Sequence, residues 1–169
     1  MNNWRICIVL DRMRSAFNVG NILRIADAVG TCEVVGCGYT PLPPHPKLAK
    51  TAMGAENMVP CRHAESSLEA VEMLRAEGYR QILAVDCVEG RSRFAWDFEF
   101  EFPLVLVFGN EALGILPETV DACDGVVALP MFGTKSSINV GNAAAATLYA
   151  VVARANPDIL KKWRLGNEN

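Results

Sequence analysis

A chain of 169 residues, 51% hydrophobic and 21% charged, is long enough to bury one sizeable core and has the balance of a globular domain. Its net charge of −3 excludes a protein that draws nucleic acid over its whole surface, so any such contact has to come from a local basic patch. The six cysteines make no CxxC pair and no zinc-type Cys/His spacing, no apolar run reaches bilayer length, and Met1 to Arg5 lead straight into a strand-like segment. The expectation is a cytoplasmic protein with reduced thiols, no metal, no membrane span and no leader peptide.

In chain order, Ile6 to Leu10 is a short continuous apolar run, the pattern of a strand covered on both faces. A loop from Asp11 to Phe17 carries Arg12 and Arg14. Asn18 to Gly30 reads as a helix, with Asn18 as its N-cap, Ile22, Ile25, Ala26 and Val29 on one face, and Gly30 as its stop. Arg24 sits beside that apolar face, so it either reaches out to solvent or points into a site. Glu33 to Gly38 reads as a second strand. Pro41 to Pro46 is rigid loop. Lys47 to Gly54 has the look of a short helix with Lys47 and Lys50 near one face, and Glu56 to Cys61 that of a further strand. Ser66 caps an amphipathic helix that ends at Gly78.

Gln81 to Asp86 is another buried strand, and Arg91 to Phe102 is polar and aromatic loop expected to lie over the strand ends. Pro103 to Phe108 is the most hydrophobic run and is predicted as the central strand, followed directly by Gly109-Asn110-Glu111-Ala112-Leu113-Gly114. Asp121 to Gly125 leads to a strand at Gly125 to Leu129. Next comes a polar loop, Pro130 to Asn139, in which Thr134, Ser136, Ser137 and Asn139 offer caps for a small-residue helix over Ala143 to Val152. A short helix is expected from Asp158. The alternation of buried strands and helices predicts a single α/β domain over residues 1–169, with 158–169 as a tail. Its sheet is mostly parallel with helices on both faces. Ligands of such sheets sit at the C-terminal strand ends near a topological switch, here the loops after Val85, Phe108 and Leu129. No GxGxxG turn follows the first strand, which counts against a dinucleotide-binding reductase.

Three segments together, Asn18 to Gly30, Phe108 to Gly114 and Leu129 to Val140, resemble the SpoU (TrmH-like) RNA 2'-O-ribose methyltransferases of the SPOUT superfamily. The likeness covers roughly residues 4 to 155. It implies a C-terminal deep trefoil knot, S-adenosyl-L-methionine as cofactor, and a homodimer whose active site uses both subunits. Matched position by position, it implies catalytic roles for Asn18, Arg24, Glu111, Ser137 and Asn139. It implies cofactor contacts at Ala84, Val85, Gly109, Asn110, Leu129, Met131, Ile138 and Ala143. RNA contact is expected from Arg12, Arg14, Lys47, Lys50, Arg91, Arg93 and Lys135. Where many relatives read Asn-Val-Ser, this chain has Gly141, so a second hydroxyl is missing there. Arg24 is expected to steady a developing alkoxide, because a guanidinium with a pKa above ~12 is a poor base. Glu111 is expected to accept backbone N–H bonds that order the loops. Glu111 and Asn139 fit loop closure as well as they fit chemistry. The expected substrate is tRNA ahead of ribosomal RNA; a non-catalytic RNA-binding or assembly factor and a base methyltransferase are the rival readings.

Overall fold

The computed structural model describes residues 4–30 and 32–155. The apolar runs form β1 (Ile6–Asp11), β2 (Cys32–Cys37), β3 (Cys61–Ala64), β4 (Gln81–Val85), β5 (Ser92–Phe94), β6 (Leu104–Phe108) and β7 (Gly125–Ala128). They pair in the order β3-β2-β1-β6-β4-β7-β5, and every pairing is parallel. β6 is therefore the middle strand, as its composition predicts. The register sets Leu10 and Val85 on either side of Phe108, with Val127 beyond Val85. Four strands thus end nearly level, and their loops leave one edge side by side.

Because successive strand residues face opposite ways, a strand apolar throughout must be covered twice. Ile6, Ile8 and Leu10 join Leu104, Leu106 and Phe108 on one face, where α1 (Ala16–Val29) and α5 (Val140–Ala155) pack through Ile22, Leu23, Leu148 and Val151. Cys7 and Val9 join Val105 and Val107 on the other, under α3 (Ser67–Ala76) with Val71 and Leu74. Each such side chain taken fully out of water is worth about 1.5–3 kcal/mol, so the two-sided sheet is the main source of stability. α2 (Ala49–Ala52) is a single turn, too short to hold by itself, and leans on α1.

Several boundaries move from the sequence expectation. Ser15, not Asn18, caps α1: its Oγ accepts from the Asn18 amide at 3.3 Å. Asn18 is thereby carried into the first turn with its side chain free for other work. Gly30 does end that helix, with φ 76°. The expected strand over Glu56 to Cys61 is instead a short 3-10 turn at Ala55–Asn57, and the strand begins at Cys61. The polar stretch from Arg91 holds β5, an edge strand of three residues that its alternation was too brief to announce. α4 (Pro117–Ala122) was not foreseen; it starts with proline at its first turn. The helix expected from Asp158 lies outside the described residues.

Candidate active site

The loops after β4, β6 and β7 enclose a cavity of about 820 Å³ with the start of α5 and Asn18 of α1. It lies where the strand order turns back between β1 and β4, the place where sheets of this kind bind ligands. Its volume is in the range of small-molecule sites.

Three side chains from three separate segments tie the wall together. The Glu111 carboxylate accepts the backbone amides of Arg14 (3.1 Å) and Ser15 (3.0 Å) and the Asn18 Nδ2 (3.0 Å). Asn18 is 6% exposed, and its Oδ1 accepts from Asn139 Nδ2 at 3.0 Å. The Asn139 Oδ1 in turn accepts the amides of Gly141 (2.9 Å) and Asn142 (3.3 Å), which caps α5. Burial pushes the Glu111 carboxyl up, but the amide of Arg14, its own amide, Asn18 and the amide of Ser15 outweigh that and hold it below the usual carboxylate range. The loop before α1, the loop after β6 and the loop before α5 are thus closed by one carboxylate and two carboxamides.

The floor is shaped by backbone. A Cβ on Gly109 would fall 2.3 Å from the carbonyl carbon of Gly114, so only glycine fits there. The loop doubles back at once, with Asn110 and Gly114 exchanging backbone bonds of 3.1 and 3.0 Å. The Asn110 Oδ1 holds the amides of Ala112 (2.9 Å) and Leu113 (3.0 Å), while its Nδ2 donates to the carbonyl of Arg12 (2.6 Å) and the hydroxyl of Tyr39 (3.1 Å).

Of the expected cofactor-contact residues, Val85, Gly109, Asn110, Leu129, Met131, Ile138 and Ala143 all line the cavity. Ala84 does not: it is fully buried on the α3 face, because strand alternation turns it away from its neighbour Val85. Asn18, Glu111, Ser137 and Asn139 line the cavity as well. Arg24 is absent from its lining and lies exposed on α1. The basic residues divide. Arg12 is held by Asp11 through bonds of 3.0 and 2.9 Å, Arg91 by Asp121 at 2.6 Å, and Arg93 stacks on Phe98, so these three are engaged within the chain. Lys135 is exposed in the loop before α5. Arg14, Lys47 and Lys50 gather around a second cleft beside α1. Sequence reasoning marks the strand end Val85-Asp86-Cys87 as a ligand-binding edge but does not count Asp86 among the contact residues; Asp86 lines the cavity and accepts the Cys87 amide at 2.7 Å. Its signal was being the first charged residue after a buried strand. Among the described residues no group of His, Cys, Asp and Glu could hold a metal ion, and no helix is long and apolar enough to cross a membrane.

Fold and cavity together define an α/β protein that takes a small ligand among strand-end loops at the switch point of a parallel sheet. The chain belongs to the SpoU rRNA Methylase family, whose model matches residues 5–149. It is 34% identical over 148 residues to the 23S rRNA (uridine(2479)-2'-O)-methyltransferase of Streptomyces viridochromogenes, covering 86% of this chain but 51% of that protein. The chain therefore spans about half the length of that relative. Among solved structures it is similar to the SpoU methyltransferase AviRb of the same organism in complex with AdoMet, with a TM-score of 0.78 at 32% identity over 89% of this chain and 58% of that one. A protein solved in work on 2-OH methylation of C/U34 on tRNA has a TM-score of 0.78 at 25% identity, covering 92% of this chain and 99% of that one.

Proposed function

We propose that this chain transfers a methyl group from S-adenosyl-L-methionine to a ribose 2'-hydroxyl of RNA. Family membership supports the reaction class, and one observation of this chain's own carries the reading. The cavity built around Glu111, Asn18 and Asn139 is lined by two acids, Asp86 and Glu111, and by no described lysine or arginine. That lining suits a cationic sulfonium and its uncharged adenosine. It suits a dinucleotide less well, because a pyrophosphate needs basic or helix-terminal donors and at the one helix start here, that of α5, Asn139 already takes the Gly141 and Asn142 amides. Val85, Leu129, Met131 and Ile138 offer apolar surface to an adenine, and the backbone at Gly109 lets the ligand come close. When bound, the cofactor supplies an activated methyl group, so no metal is required.

The residues of this chain then have distinct tasks. Glu111, Asn18 and Asn139 fix the three loops. Ser137 presents its hydroxyl at the cavity. Arg24 stabilises the alkoxide charge that develops as the ribose hydroxyl gives its proton to a neighbouring RNA phosphate or water and takes the methyl group, S-adenosylhomocysteine being the leaving group. Arg24 does not line the cavity of its own chain, so the reading requires a homodimer in which α1 of one protomer serves the cavity of the other. Support for that association comes from the α5 surface, where Tyr149 is 52% exposed among small residues, and from Ile138, 44% exposed at the cavity mouth. The threaded knot implied by the family resemblance belongs to this proposal too.

The finer target is tRNA, supported by the likeness to the C/U34 protein over 99% of its length. Ribosomal RNA is the second reading, supported by the higher identity to the Streptomyces enzyme. Incubating the protein and cofactor separately with unmodified tRNA and rRNA, followed by nucleoside mass spectrometry, tests both. A new 2'-O-methyl nucleoside is expected in one pool. A methylated base, or calorimetry showing no cofactor binding, would overturn the reading. Arg24→Ala is expected to lower kcat by about 10²–10³-fold, the usual cost of one oxyanion donor, with cofactor affinity within twofold.

A further inference from the structure

A second cleft, of about 540 Å³, lies across the loop before α1 from the cofactor cavity. The two share a wall. Arg14 and Ser15 line the cleft and give their backbone amides to Glu111. Tyr39 also lines it, and its hydroxyl accepts from Asn110 of the cavity.

Arg14, Lys47 and Lys50 are exposed around this cleft, and none of the described residues lining it is acidic. None of the three has an ion-pair partner among the described residues, whereas Arg5, Arg12, Arg62, Arg75 and Arg91 all do. Positive charge has been left unneutralised here in a chain that is net acidic. Phe17, 66% exposed, lines the same cleft, and Tyr39 adds a 58% exposed ring. The ring is not loose. Its hydroxyl is held at 3.1 Å by Asn110, and the next residue, Thr40, is buried with its hydroxyl accepting from Met13 and bonded to the carbonyls of Leu10 and Cys37. A fixed exposed ring beside three free cations is the arrangement that binds single-stranded nucleic acid: a base stacks on the ring and phosphates meet the cations.

Resting on the methyl-transfer reading above, we propose that this cleft holds an unstacked RNA nucleotide flanking the one that is methylated. Its base lies on Tyr39 and its phosphates lie against Arg14, Lys47 and Lys50. The shared wall then couples the two ligands, since the Asn110 that shapes the cofactor loop also holds the stacking ring.

The test is fluorescence anisotropy with a labelled single-stranded RNA hexamer across a salt series. Tyr39→Ala is expected to weaken binding about tenfold, within the usual range for one base–aromatic stack. Tyr39→Phe, which keeps the ring, is expected to stay within about threefold. The double variant Lys47→Ala/Lys50→Ala is expected to lower the slope of log affinity against log salt by about 1.4, at ~0.7 per phosphate contact on a single strand. Calorimetry with S-adenosyl-L-methionine should be unchanged in the lysine double variant, which confirms its fold. Hexamer affinity and salt slope equal to wild type in both Tyr39→Ala and the lysine variant would overturn the cleft. If the wild type still methylated RNA in that case, the transfer reading would stand without it. If the expected losses appeared in a protein that binds no cofactor, the cleft would stand and the transfer reading would fall.

Discussion

The two edges of the sheet are built on opposite electrostatic plans. At the edge where the strands begin, Arg5, Glu33, Arg62 and Glu77 are paired with one another. Arg62 grips Glu77 with bonds of 2.7 and 3.0 Å and reaches Glu33 at 3.4 Å. Arg5 reaches Glu33 at 3.3 Å, and Tyr79 donates to the same carboxylate. Burial, and then the hydrogen bond to Glu33, push the Tyr79 hydroxyl well above its usual range, so it stays a donor at any physiological pH. At the edge where the strands end, the loops are joined by neutral carboxamides around one carboxylate, and of the cations beside them Arg12 is paired with Asp11 while Arg14, Lys47 and Lys50 have no ion-pair partner among the described residues. The first edge ends in local ion pairs that ask for no ligand. The second keeps its cavity wall in shape with a single carboxylate, Glu111, and two carboxamides, and leaves the cations of the neighbouring cleft unpaired among the described residues.

That contrast can be broken at graded cost. The largest effect is expected from Gly109→Ala. Its methyl would overlap the Gly114 backbone, and the loop has to move because no flexible side chain can give way. Cofactor affinity measured by calorimetry should fall by 100-fold or more, on the order of 3 kcal/mol.

Next comes Glu111→Ala, which strips the Asn18 carboxamide and two backbone amides of their acceptor. Denaturant unfolding should show a loss of about 1–2 kcal/mol, because Asn18 is buried while water can replace the carboxylate at the two exposed amides. The folded carboxyl sits below its ordinary range, so its contribution is whole at neutral pH. It drains away as pH falls from the unfolded carboxylate range through the lowered folded value. Stability of Glu111→Gln should therefore fall less steeply than wild type over that acid interval. An identical acid limb in the two proteins would refute the network.

A smaller effect is expected at the opposite edge. Glu77→Gln removes half of a solvent-facing pair and should cost less than about 1 kcal/mol in the same unfolding assay. A loss larger than that of Glu111→Ala would reverse the ranking of the two edges.

The gentlest probe is chemical. Cys87 is exposed at the cavity, while Cys7 is buried and burial pushes the thiols of Cys37 and Cys123 up to about 12. Iodoacetamide at pH 8 should label Cys87 first, and S-adenosyl-L-methionine should slow that labelling. Equal labelling with and without the cofactor would place it elsewhere.

Much of this was legible in the residues. Uninterrupted runs such as Leu104 to Phe108 have one comfortable environment, a strand covered on both faces, and that fixes the parallel sheet, its middle strand and the ligand-bearing edge. Gly30 as a helix stop and Ser66 as a cap are local matters of backbone freedom and orphan amides, and the chain obeys them. The resemblance added which residues of the cavity loops to single out, Glu111, Ser137 and Asn139 among them. What tertiary structure alone decided are relations between residues distant in sequence. Glu111 meets Asn18 across a separation of 93, and Asn18 meets Asn139 across 121. No local propensity records such a meeting, because it depends on which strands the sheet makes neighbours. The same is true of the cleft: only packing brings Arg14 beside Tyr39, Lys47 and Lys50.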